Sequence, residues 1–138
     1  MTKPAILVLF IFTSLSQAAD NLLVTDAWIR NLSSVVPVRA GYMNLSNKGN
    51  RDLIIISVES ENFSSIETHT SVEKNGMISM RQIDTLSIRA GETLHLKPGG
   101  VHLMMMKPLT DLSPGDQVAV TLIFNDESKQ TVLMEIRK

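Results

Sequence analysis

Four side chains stand out for the chemistry they could do together: His69, Met80, His102 and Met104. They are spaced as His, ten residues, Met, twenty-one residues, His-x-Met, in a chain that contains no cysteine. Imidazole nitrogen and thioether sulfur form a soft, neutral donor set that suits monovalent copper. Divalent copper prefers harder, tetragonal surroundings of nitrogen and oxygen, so two sulfurs bias such a site toward the reduced ion. Methionine has no proton to lose, whereas imidazole must be neutral to bind. Affinity is therefore expected to fall below about pH 6.5.

For four such residues to share an ion, the backbone must bring them to one face. Helical periodicity is absent after residue 20, and short apolar stretches separated by turn residues point to an all-β chain. Strands are predicted over Leu22–Arg30, Val38–Ser46, Leu53–Ser60, Ser65–Val72, Met77–Ile83, Thr93–Lys97, Val101–Lys107, Gln117–Phe124 and Gln130–Arg137. Turns are marked by Asn47-Lys48-Gly49-Asn50, Asn75-Gly76, Ala90-Gly91, Pro98-Gly99-Gly100, Pro114-Gly115 and the stretch Asn125–Ser128. That many short strands favour a sandwich or a barrel.

Strand alternation puts His102 and Met104 on one face, with Val101, Leu103 and Met105 on the other, where they read as core. Asn75-Gly76 is a strong signal for a two-residue hairpin loop. Such a loop pairs Lys74 with Met77, so His69 faces Gln82 and Met80 faces Ser71. His69 and Met80 then become diagonal neighbours on one face, roughly 5–8 Å apart at their β-carbons. A three-residue loop would send them to opposite faces. Each pair is internally consistent, but nothing in the sequence says that the two pairs meet.

The remaining residues bound the reading. A chain of 138 residues suits one domain, and 43% hydrophobic with 20% charged residues is a globular composition. A net charge of -1 and the lack of basic runs give no case for nucleic acid. Without cysteine there is no disulfide, no thiolate zinc site, no thiol nucleophile and no blue-copper centre. Lys3, the apolar run Ala5–Leu15 and Ser16-Gln17-Ala18 have the order of an export signal, with the cut placed after Ala18 and after Ala19 as the second choice. The apolar run is too short to be a comfortable membrane span. The expected division is a signal peptide over residues 1–18 and one domain over 19–138.

Most other candidates have simpler roles. His95 has no methionine at useful spacing and is assigned no metal role. Met43, Met105 and Met134 read as core filling. Met77 and Met106 are open between auxiliary thioether and packing. Glu67, Arg81 and Asp84 read as a solvated strand face, and Trp28 as packing at or near the core. No acid/base pair or activated nucleophile is in view, so an enzyme is not expected. A different class of function, an exported β-sandwich interaction or assembly module without metal, would use the methionines only as apolar contacts.

The spacing of His69, Met80 and His102-Leu103-Met104 resembles the signature of the periplasmic copper chaperones called PCuAC. So do Asp26-Ala27-Trp28-Ile29-Arg30, Ala40-Gly41-Tyr42-Met43, Glu67-Thr68-His69, Met80-Arg81 and Leu96-Lys97-Pro98-Gly99-Gly100, and the likeness runs over about residues 22–137. It implies a cupredoxin-like β-sandwich or Greek-key barrel that carries one Cu(I) on His69, Met80, His102 and Met104; separately, a monomer is expected. The resemblance also implies a copper-accepting partner, a cytochrome oxidase subunit or its assembly factor, with copper resistance or storage as the other use. Thr70 and the segment 31–38 depart from the family's wording. The sequence closes on Arg137-Lys138 without the His- and Met-rich tail of some relatives, so a second site for Cu(II) is not expected.

Overall fold

The computed structural model describes residue 11 and residues 17–138. Ten strands follow one another: β1 (Leu22–Arg30), β2 (Val38–Asn47), β3 (Leu53–Glu59), β4 (Phe63–Lys74), β5 (Met77–Ile83), β6 (Leu86–Ile88), β7 (Thr93–Leu96), β8 (His102–Pro108), β9 (Gln117–Phe124) and β10 (Lys129–Arg137). The all-β expectation holds, and nine of these strands were legible. β6 was not. Its three residues are too few to show an alternating pattern, and it is held by pairing Leu86 and Ile88 with Ile55 and Leu53 of β3.

The strands run β4-β8-β2-β1-β10-β9-β3, and β3 returns to β4 through the pair Val58 and Ile66. The result is a closed seven-stranded barrel. β1 and β10 are parallel and the other pairings are antiparallel. One face of each barrel strand fills the interior, where Ile29, Leu45, Leu103, Val120, Phe124 and Ile136 are fully buried. Met43, Met105 and Met134 join them, as expected of core fillers. The packing is close at Gly41, where a β-carbon would come within 3.1 Å of Met105 Sδ and 3.2 Å of Met134 Cε.

Three strands lie outside the ring: β6 on β3, β7 on β2, and β5 on β4. β5 therefore extends the wall of the barrel as the outer half of a hairpin. Its turn places both Asn75 (φ 52°) and Gly76 (φ 76°) in the left-handed region that a type I′ loop requires. Lys74 pairs with Met77 and the register continues to Thr68 and Ile83.

The expected signal segment, residues 1–18, lies almost wholly outside the described residues. Ala18 opens a short 3-10 turn, Ala18–Asn21, and Ala18 and Ala19 pack against the core. The Ala18 N–H donates to Asp126 Oδ2 at 3.0 Å, and the Ala19 N–H to Ser128 Oγ at 3.3 Å. Hydrogen bonds from the Ser128 hydroxyl first, and then from the Ala18 N–H, hold the Asp126 carboxyl below its ordinary range. Among the described residues no helix is long and apolar enough to cross a membrane.

Candidate metal centre

β8 supplies two of the four donors. It is paired on one side with β4 and on the other with β2. Leu103 and Met105 turn inward and are 0% exposed, which sends His102 and Met104 to the outer face by alternation. His102 is nonetheless only 4% exposed. The turn just before the strand reaches it: His102 Nδ1–H donates to the Gly100 carbonyl at 2.9 Å. A carbonyl oxygen only accepts, so Nδ1 holds the proton and Nε2 carries the free lone pair.

β4 and β5 supply the other two. His69 lies directly opposite His102 across the β4–β8 pairing, and Glu67 lies opposite Met104. Across the β4–β5 pairing His69 faces Gln82, and Met80 faces Ser71. The diagonal relation of His69 and Met80 is the one that a two-residue turn dictates. The two imidazole rings are 6.3 Å apart at their centroids and tilted by 37°. All four candidates thus occupy one outer face of three neighbouring strands.

Exposure is uneven across that face. The His69 side chain is 15% exposed, Met104 is half-buried, and Met80 is 56% exposed. His69 Nε2–H donates to Glu67 Oε2 at 2.7 Å. Its other ring nitrogen, Nδ1, is buried without a hydrogen-bond partner. A buried polar atom left unsatisfied costs about 1–3 kcal/mol, and a lone pair held in that state suits a metal ion. Among the described residues no three His, Cys, Asp or Glu side chains gather as a metal-binding group. A site on this face would have to draw on methionine sulfur. A groove along β3, β4, β9 and β10 holds none of the four residues.

The family model whose description reads "Putative lipoprotein LpqE-like" matches residues 22–136. "Putative lipoprotein Lxx21020" from Leifsonia xyli subsp. xyli is 34% identical over 120 residues, 86% of this chain and 71% of that protein. A solution structure of CuI-DR1885 from Deinococcus radiodurans superposes with a TM-score of 0.71 at 26% identity, covering 89% of this chain and 82% of that one. A copper-bound PCuAC domain from PmoF2 superposes with a TM-score of 0.73, covering 88% and 96%, and at 19% identity it speaks to the fold alone. The chain belongs to the LpqE-like, PCuAC-type family. The cupredoxin-like barrel implied by that resemblance is the fold observed.

Against the family frame, the other candidates sort themselves by face. Met106 shares the outer face one step beyond Met104, opposite Val38 and Ser65. Met77 is three residues from Met80 on the same strand, so it points to the opposite face, where it is 75% exposed. That geometry removes it as an auxiliary ligand. His95 is hydrogen-bonded through Nδ1 to Asn44 Oδ1 at 2.8 Å. Half-buried Trp28 packs against Tyr42, with ring centroids 4.7 Å apart and planes tilted by 45°. Arg81 pairs with Thr70 on the face away from Met80, and Asp84 is exposed beyond the end of β5, both as solvated groups.

Glu67 is a correction. It was expected to be part of a solvated strand face, but its carboxylate is bound to His69. The signal was present in the sequence. Residues i and i+2 on a strand share a face, and Glu67-Thr68-His69 places an acceptor beside an imidazole.

Proposed function

We propose that this protein is an exported carrier of Cu(I), binding one ion through His69, Met80, His102 and Met104 and passing it to a copper-accepting protein. The observation that carries the reading is the unsatisfied, buried Nδ1 of His69. It lies directly across the β4–β8 pairing from an imidazole whose proton is also fixed, on a face that carries two thioethers. The copper-loaded relative from Deinococcus radiodurans supports the choice of ion. In this reading residues 1–18 are a signal peptide, residues 19–138 are the mature domain, and the periplasm is where it works. The PCuAC likeness points to cytochrome oxidase assembly as the use.

The ligands divide by how easily they can be replaced. Met80 is the most exposed of the four, so an incoming thioether or thiolate displaces it first, with His102 the last to let go. Stepwise exchange of this kind needs no redox change and no general acid. The protein acts as a carrier and not as a catalyst.

Anaerobic titration with Cu(I) against a competing chelator tests the proposal, together with X-ray absorption of the loaded protein. One equivalent bound, with nitrogen and sulfur neighbours in equal number and binding lost in His102→Ala, supports it. Failure to bind, or undiminished binding by His102→Ala and Met104→Ala, ends it and leaves a metal-free interaction module as the better reading.

A further inference from the structure

We infer that Glu67 is a positioning residue that presents His69 to copper through Nδ1, so that the two imidazoles of the site use different nitrogens: His69 Nδ1 and His102 Nε2. The inference rests on the copper-carrier reading and goes beyond it in naming the coordinating atoms and the residue that selects one of them.

The argument begins with strand geometry. Glu67 and His69 are two apart on β4 and share its outer face. The 2.7 Å separation of Oε2 and Nε2 is that of a charge-assisted hydrogen bond. An ionised carboxylate only accepts, so the proton sits on Nε2 and the lone pair on Nδ1. Turning the ring to offer Nε2 instead would break that bond and leave a half-buried carboxylate without its partner. The other tautomer would place the proton on Nδ1, a buried atom with no acceptor beside it. His102 is set the opposite way, with Nδ1–H held by the Gly100 carbonyl. One ring is therefore oriented by backbone, which no side-chain substitution removes, and the other by a single side chain, which can be removed.

The choice of nitrogen decides where the ion sits. Nδ1 is the ring nitrogen nearer the β-carbon, and Nε2 is the farther one. A metal held by His69 Nδ1 lies close against β4, while His102 reaches toward it across the strand gap. The arrangement also sets one negative charge behind a ligand shell that is itself neutral, and outer-shell carboxylates of this kind raise the donor strength of the imidazole they hold.

The test is long-range 1H–15N correlation of the histidines in the metal-free protein at about pH 8, where imidazole is neutral, followed by anaerobic Cu(I) loading. The expected result is a protonated Nε2 and bare Nδ1 on His69, the reverse on His102, and copper-induced shifts at His69 Nδ1 and His102 Nε2. In Glu67→Ala the His69 tautomers become mixed and Cu(I) affinity falls roughly 10–100-fold. Glu67→Gln, whose amide oxygen can accept the same bond, keeps the tautomer and recovers most of the affinity. An unchanged His102 signal in both variants shows that the fold is intact. The inference is overturned if copper shifts His69 Nε2, or if Glu67→Ala leaves tautomer and affinity as they were. A wild-type chain that binds no Cu(I), or a His69→Ala variant that binds it as well as the parent, overturns the ligand set and this inference with it.

Discussion

β8 lies within the barrel wall, bonded to β4 on one side and β2 on the other, whereas β5 is bonded to β4 alone and ends the sheet. The two strands carry the two sulfurs of the candidate site under opposite conditions. Around Met104 the neighbours Leu103 and Met105 are fully buried. Around Met80, the residues from Met77 to Gln82 are all exposed. A donor on β8 is placed by the core, so moving it means disturbing the barrel. A donor on β5 is placed by one turn and one line of hydrogen bonds, so it can shift at small cost. In the proposed copper carrier, this difference would give retention to β8 and release to β5.

The contrast can be broken most forcefully through the packing. Leu103→Ala should destabilise the fold by about 2–5 kcal/mol in urea denaturation followed by Trp28 fluorescence, whereas Ile78→Ala on β5, 74% exposed, should stay within about 0.5 kcal/mol. Comparable effects at the two positions would mean that the hairpin is buried in solution by something the barrel does not supply.

The same contrast is expected in metal binding. His102→Ala should weaken Cu(I) by more than about 100-fold in a chelator competition, beyond the loss of a supporting partner. Met80→Ala should weaken it only about tenfold, near 1.4 kcal/mol, and speed transfer to the chelator in a stopped-flow experiment. Transfer no faster in Met80→Ala would remove β5 as the release side.

A change at the turn isolates the hairpin from the barrel. Gly76→Ala keeps every donor but forces a β-carbon into the left-handed region (φ 76°), a strain of about 1 kcal/mol. The expected outcome is amide shift changes confined to β4 and β5, with weaker copper binding and little change in the barrel. The β9–β10 hairpin offers the smallest effect and a pH signature. Because the Ser128 hydroxyl, the largest cause and one that remains in residues 19–138, lowers the folded pKa of Asp126, its contribution is complete above the ordinary value of 3.8 and is lost as pH falls through the lower folded value. Asp126→Asn should therefore lower stability slightly at pH 7, by under about 0.5 kcal/mol on an exposed turn. Thermal melts of the two proteins should draw together as pH falls below 3.8 and coincide only below the lowered folded value.

Much of this contrast was legible before the fold was known. Asn75-Gly76 announced the β4–β5 turn, and because a two-residue type I′ loop fixes register, the pairing of His69 with Gln82 and Met80 with Ser71 followed by counting. Alternation separated His102 and Met104 from Leu103 and Met105. Other features were not legible. β6 is too short to carry a period, and the exposure of β5 depends on which strands lie beyond it. Glu67 could have been found by the same alternation rule that paired the candidate donors, but a carboxylate on a strand face does not itself declare that it bonds the imidazole two residues on.

By itself the sequence determined the donor types, their softness, and the fact that each pair, His69 with Met80 and His102 with Met104, shares a face. These are local properties, set by side-chain chemistry, the two-residue period of a strand and the geometry of a tight turn. Only the tertiary structure decided that β4 lies beside β8, that His69 meets His102 across that gap, and that one sulfur is held in the wall while the other sits on an edge. Strand pairing between distant segments is chosen by which closure buries the most apolar surface over the whole barrel. No local pattern contains that choice.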